Sequence, residues 1–114
     1  MDSLLSAMKA AAEPTRLRLL ALCARADLTV SDLVRILGQS QPRLSRHLKL
    51  LTEADLLDRT REGSWVYFRL AHNGASASLA RTLVEALPDD DPTVLRDRER
   101  LEELMSERAQ RAED

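Results

Sequence analysis

Cysteine and aromatic residues are nearly absent from this chain of 114 residues. Cys23 is the only cysteine, so no disulfide can form within one chain. Trp65, Tyr67 and Phe68 are the only aromatic residues, so a hydrophobic core has to consist mainly of Leu, Ala and Val. A core of this kind is marginal in a small domain, and burial of further apolar surface in a dimer would add stability.

Long apolar runs are also missing. No stretch approaches the roughly 18 apolar residues of a membrane span, and the N-terminus lacks the basic start and apolar run of a signal peptide. The sequence therefore predicts a cytoplasmic protein that does not contact membranes. It contains no Gly-rich cofactor loop and no recognisable pair of nucleophile and base, so we expect neither a catalytic site nor a cofactor in this chain.

The charge is unevenly distributed along the chain. The formal net charge is −2, which by itself argues against nucleic-acid binding. However, residues 1–88 carry 12 Lys and Arg against 9 Asp and Glu, whereas residues 89–114 carry 5 Arg against 10 Asp and Glu. The chain thus has a mildly basic body and an acidic tail.

The hydrophobic periodicity predicts a mainly α-helical protein with one small β-hairpin, in the order α-α-α-α-β-β-α-α. Capping residues support several of the helix boundaries. Thr29 and Asp32 can form a capping box, Gly38 can end the short third helix, and Ser40 can cap the fourth. The expected helices cover 1–12, 14–25, 30–37 and 41–54, then one starts at His72 or Asn73 and a last one at Pro92, with strands over 56–61 and 65–70.

This order of elements is typical of a winged helix-turn-helix domain. The short third helix, the turn at 38–40 and the fourth helix form the helix-turn-helix, and the hairpin over 57–70 forms the wing. We therefore predict a winged helix-turn-helix DNA-binding domain over residues 1–88 and a C-terminal dimerisation or linker helix over residues 89–114.

The fourth helix presents polar side chains on its outer face. No acidic residue occurs between Ser40 and Thr52. An α-helix fits the major groove of DNA, where Arg can bond guanine and Gln can bond adenine. Arginines in the wing can follow the backbone or enter the minor groove. The predicted contacts with double-stranded DNA are Ser40, Gln41, Arg43, Ser45, Arg46, His47, Lys49, Arg59, Arg61 and Arg69.

The first and last helices each carry an apolar stripe. The last helix is otherwise highly charged, and its single apolar stripe favours pairing with another helix. The apolar residues of the two stripes are Leu4, Leu5, Met8, Val94, Leu101, Leu104 and Met105.

Three segments resemble the ArsR family of winged-helix repressors. Residues 13–20 resemble the family's second helix, residues 40–51 its recognition helix, and residues 61–67 its wing. The resemblance covers about residues 1–88. It implies a repressor of transcription that is a homodimer and binds an imperfect palindrome. It also implies that the first and last helices join the two copies, so the predicted dimerisation residues are those of the two apolar stripes, Leu4, Leu5, Met8, Val94, Leu101, Leu104 and Met105.

One departure from the family concerns metals. Many metal-sensing members carry a Cys-x-Cys pair where this chain has Thr29 and Ser31, and neither residue offers a thiolate to a soft metal. The last helix contains no His for the family's other common site. We therefore expect no metal site, and any small-molecule effector stays unidentified.

Two alternatives to a stand-alone regulator stay open. The last helix is similar to a linking helix that, in longer proteins, precedes a methyltransferase domain binding S-adenosylmethionine. The helical pattern runs to Asp114 without a cap, so the chain is alternatively the DNA-binding part of such a fusion. A winged-helix module that binds protein is the other alternative.

Several residues also have purely structural interpretations. We expect Cys23 to be a buried small hydrophobic residue and Trp65 to pack within the hairpin. His47 can bond a phosphate or pack beside the hairpin. For Arg16 and Arg18, a structural ion pair competes with DNA contact.

Overall fold

The computed structural model describes residues 1–113, and Asp114, where the helical pattern was expected to run on, lies outside them. The described part contains six helices and one hairpin, which confirms the predicted order. The elements are α1 (Asp2–Ala11), α2 (Pro14–Cys23), α3 (Val30–Leu37), α4 (Gln41–Glu53), β1 (Leu57–Glu62), β2 (Trp65–Leu70), α5 (Ala77–Ala86) and α6 (Pro92–Glu113).

Local hydrogen bonds explain why the helix boundaries follow the sequence signals. The Asp32 backbone N–H donates to Thr29 Oγ1 at 3.2 Å, and the Thr29 N–H donates to Asp32 Oδ2 at 2.9 Å, which completes the capping box. Gly38 ends α3 in the left-handed conformation with φ of 69°. Asp91 Oδ1 accepts hydrogen bonds from the first backbone N–H groups of α6.

Two boundaries differ from the prediction. Helix α5 begins at Ala77 and not at His72 or Asn73, because the chain turns through Gly74 with φ of 94° and Ser76 then takes the capping position. Strand β1 begins one residue later than expected and extends to Glu62. The reason is that Asp55 adopts φ of 58° and the Leu56 N–H still bonds the Leu51 carbonyl, so the turn after α4 uses Leu56.

The core lies between the helices and the inner face of the hairpin, with α5 contributing Ala80 and α6 contributing Leu101 and Leu104. Leucine supplies most of its volume, as the composition predicts, together with Ile36 and Phe68. Phe68 also exchanges backbone hydrogen bonds of 2.8 and 3.0 Å with Leu28, which forms an isolated antiparallel β-bridge beside the hairpin. The wing is thereby fixed to the segment just before α3.

Helix α6 packs against α2 and α3 of its own chain. Leu101 and Leu104 are 4% and 6% exposed and belong to the main core. The structure therefore corrects the expectation that these two side chains face a second copy. The periodicity predicted a buried stripe, but within the described residues α2 and α3 already cover it.

The charged face of α6 forms ion pairs with earlier helices. Its arginines and acids pair mainly with earlier helices: Arg35 with Glu107 at 2.7 Å, Asp32 with Arg108, and Arg18 with Asp97. Whether residues 89–114 act as a separate unit stays a prediction.

Helix α1 leaves its apolar stripe uncovered. Leu4, Leu5 and Met8 are each about half exposed, and Met105 of α6 is 41% exposed. Val94 is half-buried.

None of the described helices is long and apolar enough to span a membrane.

Candidate nucleic-acid interface

Helix α4 separates an apolar inner face from a polar outer face. Leu44, Leu48 and Leu51 are buried in the core at spacings of four and three residues. The residues that remain at the surface of the helix are Gln41, Pro42, Arg43, Arg46, Lys49, Leu50 and Glu53. The core thus fixes the rotation of α4 so that the predicted donors face outward.

The first turn of α4 is ordered by its own side chains. Ser40 Oγ accepts a hydrogen bond from the Arg43 backbone N–H at 3.4 Å, and Gln41 Nε2 donates to Ser45 Oγ at 2.8 Å. Within residues 1–113, the guanidinium groups of Arg43 and Arg46 enter no ion pair. Lys49 lies 3.9 Å from Glu53 in an exposed i,i+4 pair, which is worth little.

His47 contacts other protein side chains in a cluster that joins three helices. Its side chain is 13% exposed, and its Nδ1 lies 3.1 Å from Arg16 Nη1 and 3.9 Å from Glu13 Oε2. Arg16 also donates from Nε to the Ala10 carbonyl at the end of α1. The cluster therefore ties α4 to α1 and α2, and His47 positions the helix in addition to any contact with a ligand.

The electrostatics of this cluster favour a neutral imidazole. Burial lowers the pKa of His47; Glu13 opposes this by raising it, and the neighbouring guanidinium groups of Arg16, Arg43 and Arg46 lower it further. Burial raises the pKa of Glu13, but hydrogen bonds from the Arg16 and Thr15 backbone N–H groups outweigh this, so its pKa is lowered overall.

A hydrogen bond that the sequence did not suggest fixes the turn between α3 and α4 to α2. Gln39 Nε2 donates to the buried Thr15 Oγ1 at 3.0 Å. Thr15 lies in the segment 13–20, which resembles the family's second helix. That resemblance was the only feature of the sequence that could have pointed to this contact. Glu13 likewise caps α2 by accepting from the Arg16 N–H at 2.8 Å, whereas the sequence suggested only that Glu13 and Pro14 break the first helix.

The register of the hairpin separates the three predicted wing arginines. Arg59 pairs with Phe68 and Arg61 pairs with Val66, so both lie on the face that continues into the core, yet their side chains remain exposed. Arg69 pairs with Asp58 on the opposite face and is half-buried. The structure thus brings Arg59 and Arg61 together near the tip and places Arg69 apart from them.

The tip of the wing is a two-residue loop, Gly63 and Ser64, with φ of 62° at Gly63. Arg61 Nε donates to the Gly63 carbonyl at 3.1 Å and stabilises this loop. Trp65 follows the loop directly and is 60% exposed, so the expected packing within the hairpin is wrong. The indole is instead available to a ligand at the wing tip.

Cys23 is buried among core residues, as expected, and burial raises the pKa of its thiol to about 12. Such a thiol stays protonated and unreactive at neutral pH. Thr29 is occupied by the capping box. Among the described residues, no three His, Cys, Asp or Glu side chains are grouped in a way that could hold a metal ion.

Comparisons with known proteins agree with this geometry. The family described as "Bacterial regulatory protein, arsR family" matches residues 13–59. The arsenic resistance transcriptional regulator ArsR1 of Pseudomonas putida is 48% identical over 63 residues, which cover 54% of this chain and 49% of the relative. The arsenical resistance operon repressor of Bacillus subtilis is 36% identical over 76 residues, covering 66% of this chain and 72% of the relative.

A solved structure has the same fold. It is the homodimeric winged helix-turn-helix DNA-binding domain of Mb0332 from Mycobacterium bovis, with a TM-score of 0.65 and 27% identity. The match covers 80% of this chain and 82% of that one. The chain spans about half the length of the P. putida relative. Since the fold, the motifs and the relatives coincide, the chain belongs to the arsR family of bacterial regulatory proteins.

Proposed function

We propose that this chain represses transcription by binding operator DNA as a homodimer, with α4 in the major groove and the wing against the adjacent backbone or minor groove. The observation that carries the proposal is the outer face of α4. It bears guanidinium groups without ion pairs in the described structure, while its inner leucines fix the helix in place. Membership of the arsR family supports the same function.

The residues divide into those that read bases and those that bind phosphates. Gln41, Arg43 and Arg46 are exposed near the start of α4, where base edges are within reach of a docked helix. Ser45 Oγ accepts a hydrogen bond from Gln41 Nε2 and thereby orients the Gln41 side chain. Lys49 would contact the phosphate backbone, which adds affinity without sequence preference.

The outer parts of the interface follow from their positions. Ser40 lies at the N-terminus of α4, where a phosphate is favoured. Arg59 and Arg61 lie together near the wing tip and would engage the backbone or the minor groove. Arg69, on the opposite face of the hairpin, can reach DNA only in a different orientation, so we assign it the smallest role.

The dimer is proposed to form through the uncovered stripe of α1. Leu4, Leu5 and Met8 lie on one side of that helix, and Met105 supplies further exposed apolar surface from α6. A two-fold dimer places two recognition helices against half-sites about one helical turn of DNA apart, so it would bind an imperfect palindrome. The homodimeric state of Mb0332 supports a homodimer.

We also propose that a small-molecule effector controls the binding of DNA.

We assign the chain a binding role and not a catalytic one, because the polar groups at its surface are hydrogen-bond donors and ion pairs suited to recognition. Repression is proposed because the named relatives are an arsenic resistance regulator and an operon repressor.

Selection from a pool of randomised DNA duplexes, at two salt concentrations, tests the proposal. We expect enrichment of a palindrome and steep salt dependence, with a log–log slope of roughly −7 if a dimer engages about 8 phosphates. Absence of enrichment at low salt would contradict DNA recognition and favour the protein-binding module. Enrichment of a single half-site would contradict the dimer alone.

A further inference from the structure

A cavity of about 440 Å³ lies between α2, the end of α5 and the start of α6. Apolar side chains form most of its wall: Leu17, Ala21, Leu22, Val84, Leu87 and Val94. The volume falls within the range of about 300 to 1,000 Å³ that small-molecule sites occupy. The cavity is separate from the outer face of α4 and from the wing.

Three charged groups of the wall, Arg18, Asp91 and Asp97, already have partners. Arg18 donates from Nε and Nη2 to the two carboxylate oxygens of Asp97 at 2.8 and 2.9 Å. Asp91 Oδ1 accepts hydrogen bonds from the backbone N–H groups of Thr93 and Val94 at 2.9 and 3.1 Å. A charged ligand that paired with these three groups would have to break these bonds.

The remaining charges of the lining cancel. The two arginines Arg25 and Arg98 equal in number the two acids Glu85 and Asp89. Arg25, Glu85 and Asp89 are exposed at the rim, whereas Arg98 Nε is buried without a hydrogen-bond partner among the described residues. Two acids at the rim also oppose a phosphate-bearing ligand. The chemistry of the wall therefore matches an apolar molecule without net charge.

The size of the cavity argues against a helix of a second copy as its occupant. A helix with side chains is about 10–12 Å across, so ~440 Å³ holds less than about one turn of it. One turn would bury too little surface to support a stable dimer. A substituted aromatic ring or a short aliphatic molecule fits the same space.

Helix α6 connects this cavity to the helix-turn-helix. Its first turns carry Val94 and Asp97 in the cavity wall. Further along, Arg100 Nη1 donates to the Ile36 carbonyl at 2.9 Å, and Glu107 accepts two hydrogen bonds of 2.7 Å from Arg35. A ligand that moves the start of α6 would therefore act on α3, the first helix of the helix-turn-helix.

We propose that this cavity binds a small, uncharged, apolar molecule and is the effector site of the regulator. The inference rests on the proposed function for its regulatory consequence. The binding of the ligand itself does not depend on that function, because the cavity lies within one chain.

Ethylbenzene and protonated benzylamine test the site, since they have nearly the same shape and differ in charge. We would titrate each into the full chain and follow backbone amide signals by NMR. Ethylbenzene should produce saturable shifts at the residues of the cavity wall, and benzylammonium should bind at least about tenfold more weakly. Absence of saturable shifts with ethylbenzene, equal binding of both probes, or shifts elsewhere would overturn the proposal.

Filling the cavity provides the matched control. Ala21→Phe should abolish ethylbenzene binding, whereas Ala109→Phe, at an exposed position of α6, should leave it unchanged. Because Ala21→Phe can fail to fold, Val94→Phe introduces the same bulk from the α6 side. If both folded cavity variants bind ethylbenzene like the wild type, the assignment is wrong.

DNA binding then separates the inference from the proposed function. Saturating ethylbenzene should change the operator affinity of the wild type by about fivefold or more and leave that of the folded cavity variant unchanged. An unchanged wild-type affinity would overturn the effector role. A chain that binds ethylbenzene in the cavity but no DNA would contradict the proposed function and retain the site.

Discussion

Arg18 and Asp97 are 79 positions apart in the chain and form a bidentate ion pair, with 2.8 Å from Nε to Oδ2 and 2.9 Å from Nη2 to Oδ1. The Asp97 side chain is only 5% exposed, so the pair lies largely out of water where α6 meets α2. The hydrogen bonds to Asp97 raise the pKa of Arg18, while its partial burial opposes that shift. The pair therefore holds α6 against α2.

Removal of one partner of this pair should destabilise the fold. We expect Asp97→Asn to lower the free energy of unfolding by about 2 kcal/mol or more, because the arginine keeps its charge without its anion. Urea unfolding of Asp97→Asn, Arg18→Met and the double variant measures the coupling. If the single losses simply add in the double variant, the pair is not a stabilising contact.

Loss of either free arginine on α4 should weaken operator binding without unfolding the protein. We expect Arg43→Ala and Arg46→Ala each to lower affinity by roughly tenfold or more, which corresponds to about 1–3 kcal/mol per base contact. The single tryptophan, Trp65, provides the readout, since its exposed indole at the wing tip should change emission when DNA covers it.

Arg81→Ala is the matched control for these variants, because Arg81 is an exposed arginine on α5 and belongs neither to α4 nor to the wing. It should bind the operator like the wild type. Normal affinity in both α4 variants would refute the assigned face. Equal losses in all three variants would indicate a general charge effect.

The His47 cluster should make stability depend on pH. Since the pKa of His47 is lowered in the fold from its ordinary value of 6.5, the unfolded chain binds more protons through this side chain than the folded chain does. Its contribution to stability is therefore complete above about pH 6.5 and decreases as the pH falls toward the folded pKa.

Replacement of His47 by Gln removes this titration while retaining a polar group near Arg16. We expect the fall in the free energy of unfolding between pH 7.5 and pH 5.5 to be smaller in His47→Gln than in the wild type. Urea unfolding at the two pH values measures it. An identical or steeper fall in the variant would show that His47 does not carry the effect.

The two apolar stripes should respond differently to a charge. Leu5→Asp, on the uncovered side of α1, should weaken the dimer and leave the helical content unchanged. Leu101→Asp should unfold the protein, because that side chain is in the core. Sedimentation at low concentration together with circular dichroism separates these outcomes. A folded, dimeric Leu5→Asp would exclude α1 as the interface.

Much of the fold could be predicted because its signals are local. The cap residues Thr29, Ser40 and Asp91 satisfy backbone groups only a few positions away, so the boundaries that they set depend on adjacent sequence. The predicted start of α5 was wrong because His72 and Asn73 are plausible capping residues, and nothing in the adjacent sequence shows that the chain first turns at Gly74.

The candidate site was predicted less completely than the fold. The outer face of α4 follows from the spacing of Leu44, Leu48 and Leu51, because buried leucines at helical period fix which residues face outward. The role of His47 was not evident, because Arg16 lies 31 positions away and reaches it only across the packed helices.

The sequence by itself determined where the helices and the hairpin form, because hydrophobic period, caps and turn residues act over a few positions. Only the tertiary structure decided which apolar faces remain uncovered. Leu5 and Leu101 belong to similar stripes, yet α2 and α3 cover one and leave the other exposed. Burial depends on which helices meet in space, and that depends on long-range pairs such as Arg18 with Asp97, which a local pattern does not encode.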